Sequence, residues 1–282
     1  MIEIGRRGRG RPAHRRRRGG VAGGLLGLLV LVHHPAIGAA CDATEGGENV
    51  WVERVARGDE VVLTDGRRLR LAGVEAPRPP LVAGVGVAID AAAEEAAGRA
   101  ALAELVEGRE TTFVEIETDR HGRRVGHLYD TESGQWIQEV LVAAGRARVV
   151  PRRDGRDCGG RLLAAEATAR GARRGLWATT SHRVVPARAA DLVPLVGRYV
   201  VTEGRVLSIG RSGGHIWLNF GQDFRRDFAV VMKDKDVDRF RANGFDALAT
   251  KGARVRVRGV VVHRDGPRIA IEGPEDIERV TK

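Results

Sequence analysis

From about residue 50 the chain alternates apolar and polar positions with a period of two, the mark of half-buried strands. WVERVARG (51–58) leads into DEVVLT (59–64) and then, past Asp65-Gly66, into RRLRLAGVE (67–75). An Asp-Gly pair between apolar runs predicts a hairpin. Between Asp90 and Val106 the pattern changes to the Ala-rich AAAEEAAGRAALAELV. This predicts a helix with Asp90 as its cap and Gly108 beyond its end. Strands are expected at ETTFVEIE (110–117) and RRVGHLYD (123–130), separated by a turn at TDRHG. A helix at QWIQEVLVAAG (135–145), a short strand at ARVV (147–150) and a helix at RLLAAEATARGARRGLW (161–177) follow. Strands, helix, strands and then helices suit a small barrel with helices packed on it.

Residues 178–197 lack periodicity, contain Pro186 and Pro194, and read as a linker. A second set of strands begins at GRYVVTEGRVLSIG (197–210), turns at RSGG and returns as HIWLNF (215–220). FAVVM, a short helix at DVDRFRANG, ARVRVRGVVVHRDG and PRIAIEG complete it. Three strands, a helix and two strands are the layout of a five-stranded oligonucleotide/oligosaccharide-binding (OB) barrel. Such a barrel must fill its interior, so Trp217 and Phe220 are expected in its core. A stacking platform for bases is the alternative.

Charge changes this picture less than its total suggests. The net charge is +10, but eight arginines and one glutamate within residues 1–20 supply +7 of it. The basic balance is thus mostly a property of the leader and is weak evidence for a nucleic-acid partner. That leader continues as GGVAGGLLGLLVLV and then AIGAA ahead of Cys41. A positive flank, a short apolar run and small residues predict a signal peptide over 1–41. The run is too short to span a bilayer comfortably. A spacer at 42–49, a first domain at 50–177, the linker at 178–197 and a second domain at 198–282 complete the expected organisation. Export would make the protein periplasmic or secreted. Cys41 and Cys158 are the two cysteines. They could form a disulfide, Cys41 could carry a lipid anchor, or both could be bystanders.

The candidate chemistry lies in charges that a core would not select. Asp59 follows Gly58 at the entry of a strand, Arg70 interrupts the next one, and Glu75 stands at that strand's exit. Asp119-Arg-His-Gly-Arg123 forms a tight turn further on. Singly, these read as a turn residue, a barrel-edge arginine and a solvated hairpin. Together, two carboxylates at strand ends can share a hard cation such as Ca²⁺. Two arginines can fork onto a phosphodiester and stabilise the charge that grows on its oxygens.

RGDEVVL, RLRLAGVEAP, DRHGR, the helix ending VAAG and the closing ARRGLW, in this order, resemble the staphylococcal nuclease (thermonuclease) family over residues 50–177. The resemblance implies a mainly β fold with helices (α+β), an OB-type barrel, and Ca²⁺-dependent phosphodiester hydrolysis of DNA or RNA. It implies Asp59 and Glu75 as metal carboxylates, with the Ala76 carbonyl as a third ligand. It implies Arg70 and Arg123 as the catalytic, phosphate-binding arginines. Where the family has a glutamate, usually regarded as the general base, this chain has Arg78. The family's nucleotide-holding tyrosines are absent by position, at His121, Pro151 and Arg153. Losing a base typically costs ~10²–10⁴-fold, and an inward-pointing arginine would also repel Ca²⁺. Glu94 or Glu95 would be the replacements at hand. Two functions follow: slow Ca²⁺-dependent hydrolysis of nucleic acid, or a non-cutting module of the cell envelope that holds nucleic acid, a glycan or a protein partner.

Overall fold

The computed structural model describes residues 46–78, 85–151 and 158–280. The leader, Cys41 and Arg153 lie outside the described residues. Among the described residues no helix is long and apolar enough to cross a membrane.

The first hairpin sets the pattern. β1 (Glu48–Arg57) pairs antiparallel with β2 (Glu60–Leu63), and β2 with β3 (Arg68–Leu71), around Asp65-Gly66. Gly66 has φ +85°, the left-handed backbone that this turn demands and that glycine adopts without strain. β1 starts at Glu48, so the strand takes the last two residues of the expected spacer. The run expected as one strand, RRLRLAGVE, divides at Gly73 (φ +72°). Its end becomes β4 (Val74–Glu75), which leaves the barrel. Helix α1 (Val85–Val106) begins five residues before the expected cap, and Asp90 lies inside it.

β5 (Glu110–Thr118) and β6 (Arg124–Asp130) then close the barrel in the order β1-β2-β3-β6-β5. The contact between β3 and β6 is parallel; the others are antiparallel. Val52, Leu63, Leu69, Leu71, Phe113 and Leu128 fill the barrel. Leu102 of α1, Leu141 of α2 (Ile137–Ala143) and Leu162 of α3 (Gly159–Gly171) cover it. Among the described residues β7 (Arg148–Val149) pairs with β4 alone. The last expected helix stops at Gly171, and Gly175–Ala178 form a separate 3-10 turn.

The expected linker is packed. β8 (Val185–Pro186) pairs parallel with β9 (Tyr199–Arg205), and α4 (Ala189–Leu192) buries Leu192. Val185, Ala187 and Leu192 all belong to the second core. β10 (Ser208–Ser212), β11 (His215–Asn219), β12 (Ala229–Lys233), α5 (Val237–Ala242), β13 (Arg254–His263), β14 (Pro267–Ala270) and β15 (Ile277–Arg279) complete the chain. The sheet order is β10-β11-β12-β14-β13-β9-β8, with β15 on β13. β9 passes into β10 through Val206 and Leu207, so the two act as one bent strand. The wiring therefore repeats that of the first barrel, including a parallel pair, here β12 with β14, and a helix ahead of the fourth strand.

Trp217 departs from expectation. On β11, Ile216 and Leu218 are buried, which turns Trp217 to the opposite face. Phe220 does pack against the core, with its ring 5.0 Å from that of Phe228.

Candidate functional site

The site grows out of a close approach. Gly58 precedes Asp59, and a Cβ there would stand 2.8 Å from that of Ala76 and 2.9 Å from the Gly98 backbone of α1. No larger residue fits while the β1–β2 turn presses under the helix. That contact buries Ala76 and leaves Asp59 only 1% exposed. The Asp59 carbonyl accepts a hydrogen bond from the Leu71 amide at 2.9 Å, which joins the turn to the end of β3.

Asp59, Arg70, Glu75 and Arg78 converge. Arg78 Nη2 donates to Asp59 Oδ2 at 3.1 Å, and Arg70 Nη2 lies 4.0 Å from the same oxygen. Arg78 Nε is 3.9 Å from Glu75 Oε1. A fifth residue, Arg148, was not anticipated. It stands opposite Glu75 in the β4–β7 pair and donates to Glu75 Oε2 from Nη2 at 2.6 Å and from Nε at 3.2 Å. Its Nη1 donates to the Tyr199 carbonyl at 3.0 Å, and the guanidinium lies over the Tyr199 ring. Three guanidiniums thus surround two carboxylates, a formal excess of one positive charge.

The two carboxylates respond differently. Burial is the largest influence on Asp59 and raises its carboxyl above the usual range, although Arg78 and Arg70 act to lower it. Burial also acts to raise Glu75. There Arg148, Arg78 and Arg70 together outweigh it and hold the carboxyl below the usual range.

Arg123 is committed elsewhere. Its Nε and Nη2 donate to Asp119 Oδ2 at 2.8 and 2.6 Å, and its Nη1 donates to the buried Glu60 Oε2 at 2.8 Å. Asp119 also accepts the His121 and Arg123 amides, closing the DRHGR turn. Burial acts to raise Asp119, but these hydrogen bonds bring it down to about 2. Glu94 accepts from Ser181 at 3.0 Å and pairs with His182 at 3.1 Å, so it is not directed at the Arg78 cluster by any contact. Glu95, also on α1, is only half-buried. Cys158 is buried and disulfide-bonded.

The donor set does not fit a calcium ion. Ca²⁺ takes six to eight oxygens. Both carboxylates here already face guanidiniums, and no group of three or more metal-ligating side chains occurs among the described residues. At 4 Å, even with an effective dielectric of about 20, like unit charges repel by ~4 kcal/mol, and a divalent ion doubles that.

Residues 68–179 match the family model described as staphylococcal nuclease homologue. This region is therefore a staphylococcal-nuclease-like domain. The match opens at β3, while β1 and β2 close the same barrel, with Asp59 in the turn between them and Glu60 at the start of β2. No curated protein matches the chain.

Proposed function

We propose that this is a nuclease-family protein that engages nucleic acid without calcium-assisted hydrolysis. The observation behind this reading is the Arg78 guanidinium, 3.1 Å from Asp59 and 3.9 Å from Glu75. It stands between the carboxylates to which the family resemblance assigns the metal. The same substitution removes the carboxylate that would activate water, so one residue withdraws both contributions. Arg123, held by Asp119 and Glu60, would also have to break two ion pairs before it met a phosphate.

A nuclease assay on the protein tests this reading, with single-stranded DNA and RNA at high protein concentration and Ca²⁺ against EDTA. The expected result is no cleavage above the EDTA control. Ca²⁺-dependent cleavage that Asp59→Asn abolishes would return the protein to the hydrolytic reading.

The reading also places the protein outside the cytoplasm, in the periplasm or secreted. The leader pattern supports this, and so does a disulfide at Cys158, for which Cys41 is the other cysteine in the sequence. Mass spectrometry of protein recovered from cells should find a chain that starts near Cys41 and carries the Cys41–Cys158 bridge. A retained leader would contradict export, and a lipid mass on Cys41 would contradict the bridge.

A further inference from the structure

The second sheet carries a groove of about 800 Å³ on the side away from its core. Its floor is the outer face of β10 and β11, and its walls are the loop joining β11 to β12 and the turn joining β13 to β14. Trp217 stands on the floor opposite Gly210, so no side chain faces the indole from β10, while Val231 of β12 flanks it on the other side. Arg268 reaches over the Trp217 ring, 5.7 Å from its centroid. On the wall, Phe224 is 68% exposed, with the Arg225 guanidinium 5.7 Å from its ring. Arg264 lines the opposite side.

The way the wall loop is held explains why these groups face outward. Asp227 Oδ2 accepts the Asp223 amide at 2.9 Å, the Asp223 carbonyl accepts the Asp227 amide at 2.8 Å, and Asp223 Oδ1 accepts the Arg225 amide at 3.0 Å. A Cβ on Gly221 would lie 1.9 Å from Asp227 Oδ2, so the loop closes as it does only with glycine there. The loop's two acids are occupied by its own backbone, and its aromatic ring and Arg225 project to solvent. Asp265 is the one carboxylate on the lining. Arg225, Arg264 and Arg268 have no carboxylate partner among the described residues. Elsewhere on the second sheet, Arg211 is paired with Asp234, and Arg254 and Arg256 with Glu203.

An exposed phenyl ring and a half-buried indole beside guanidiniums without carboxylate partners suit a ligand that offers flat faces and negative charge in alternation. We infer that this groove binds single-stranded nucleic acid, with bases stacked on Trp217 and Phe224 and phosphates on Arg225, Arg264 and Arg268. Stacking of this kind is independent of sequence and needs bases that are not already stacked in a duplex. The inference rests on the nucleic-acid reading above for its ligand, and it adds the place and the strandedness.

The test is binding of full-length protein to fluorescein-labelled oligo(dT) and oligo(rU) of roughly a dozen nucleotides, a length set by usual site sizes, measured in EDTA. A duplex of equal length, dextran sulfate and polyphosphate serve as competitors. Trp217→Ala and Phe224→Ala are expected to weaken binding roughly 10-fold each, and Trp217→Phe to recover most of the loss. Replacing the three arginines with alanine should make the salt dependence shallower by about 2 logarithmic units per logarithm of salt. Phe224, Arg225 and Arg264 are exposed and Trp217 and Arg268 half-buried, and circular dichroism checks the fold of each variant.

Binding that survives the aromatic variants, or that duplex or polyphosphate displaces as well as oligo(dT), would overturn the inference in favour of charge alone. Binding lost in Arg70→Ala but not in the groove variants would move the site to the first barrel. That outcome overturns the groove and leaves the non-cutting reading standing. Ca²⁺-dependent cleavage by the wild type, with groove binding intact, would do the reverse.

Discussion

The two barrels share one wiring, but the arginines at their two candidate sites are held in opposite ways. In the first, Arg78, Arg148 and Arg123 turn onto the protein's own carboxylates at Asp59, Glu75, Glu60 and Asp119. In the second, Arg225, Arg264 and Arg268 line a groove with Trp217 and Phe224 and have no carboxylate partner among the described residues. A guanidinium already paired at hydrogen-bonding distance must lose that partner before it meets a phosphate, whereas a solvated one exchanges only water. Strand order therefore says little about where a ligand goes; the placement of acids relative to arginines says more.

The largest effect that could break this comparison lies where the two barrels meet. Glu166 of α3 is fully buried; it accepts the Val149 amide at 2.8 Å and pairs with Arg258 of β13 at 2.7 Å, itself 2% exposed. Arg170 meets the same carboxylate at 3.1 Å. Glu166→Gln leaves the buried Arg258 with the partly exposed Glu278, 3.6 Å away, as its remaining carboxylate, so it should cost about 3 kcal/mol in chemical denaturation, the low end for breaking a buried pair. A loss under 1 kcal/mol would mean that the barrels do not depend on this junction.

Arg148 comes next. It satisfies Glu75 and stacks on Tyr199, so it belongs to the site and to the junction together. Arg148→Ala should cost about 1.5–3 kcal/mol, the range for hydrogen bonds to charged groups. It should also leave Glu75 with Arg78 as its nearest cation. Denaturation together with Ca²⁺ binding separates the two roles: loss of stability without gain of a metal site is the expected outcome.

The smallest effect is one of pH. Asp119 is held at about 2, below its ordinary value of 3.8. Its stabilisation is present above the unfolded value and is lost as pH falls through the folded one. The stability difference between wild type and Asp119→Asn should therefore be constant above about pH 5 and shrink between pH 4 and 2. A difference independent of pH would show that Asp119 acts only as a turn residue.

Much of this was legible in the sequence where local chemistry decides. Asp65-Gly66 formed its hairpin, DRHGR its turn, and Asp59, Arg70, Glu75 and Arg78 came together. What escaped depended on distant contacts. Arg148 meets Glu75 across 73 positions through a two-residue pairing that no alternation pattern reveals. Trp217 belongs to a strand with apolar residues on both faces, and only the register that buries Ile216 and Leu218 shows which way it points. RRLRLAGVE looked continuous because its break at Gly73 is a backbone angle, not a change in hydropathy. Residues 178–197 read as a linker because a two-residue strand and a four-residue helix are too short to show a period.

If Arg78 stands in for the cation in the first barrel, a calorimetric Ca²⁺ titration of the wild type beside Arg78→Glu will show it. Replacing the guanidinium with a carboxylate would supply a third acid beside Asp59 and Glu75. The wild type should show no saturable binding up to about 10 mM, beyond the weak end of ordinary protein calcium sites, and Arg78→Glu should bind in the millimolar range or tighter. Millimolar or tighter binding by the wild type, abolished by Asp59→Asn, would show that a calcium ion is held beside Arg78.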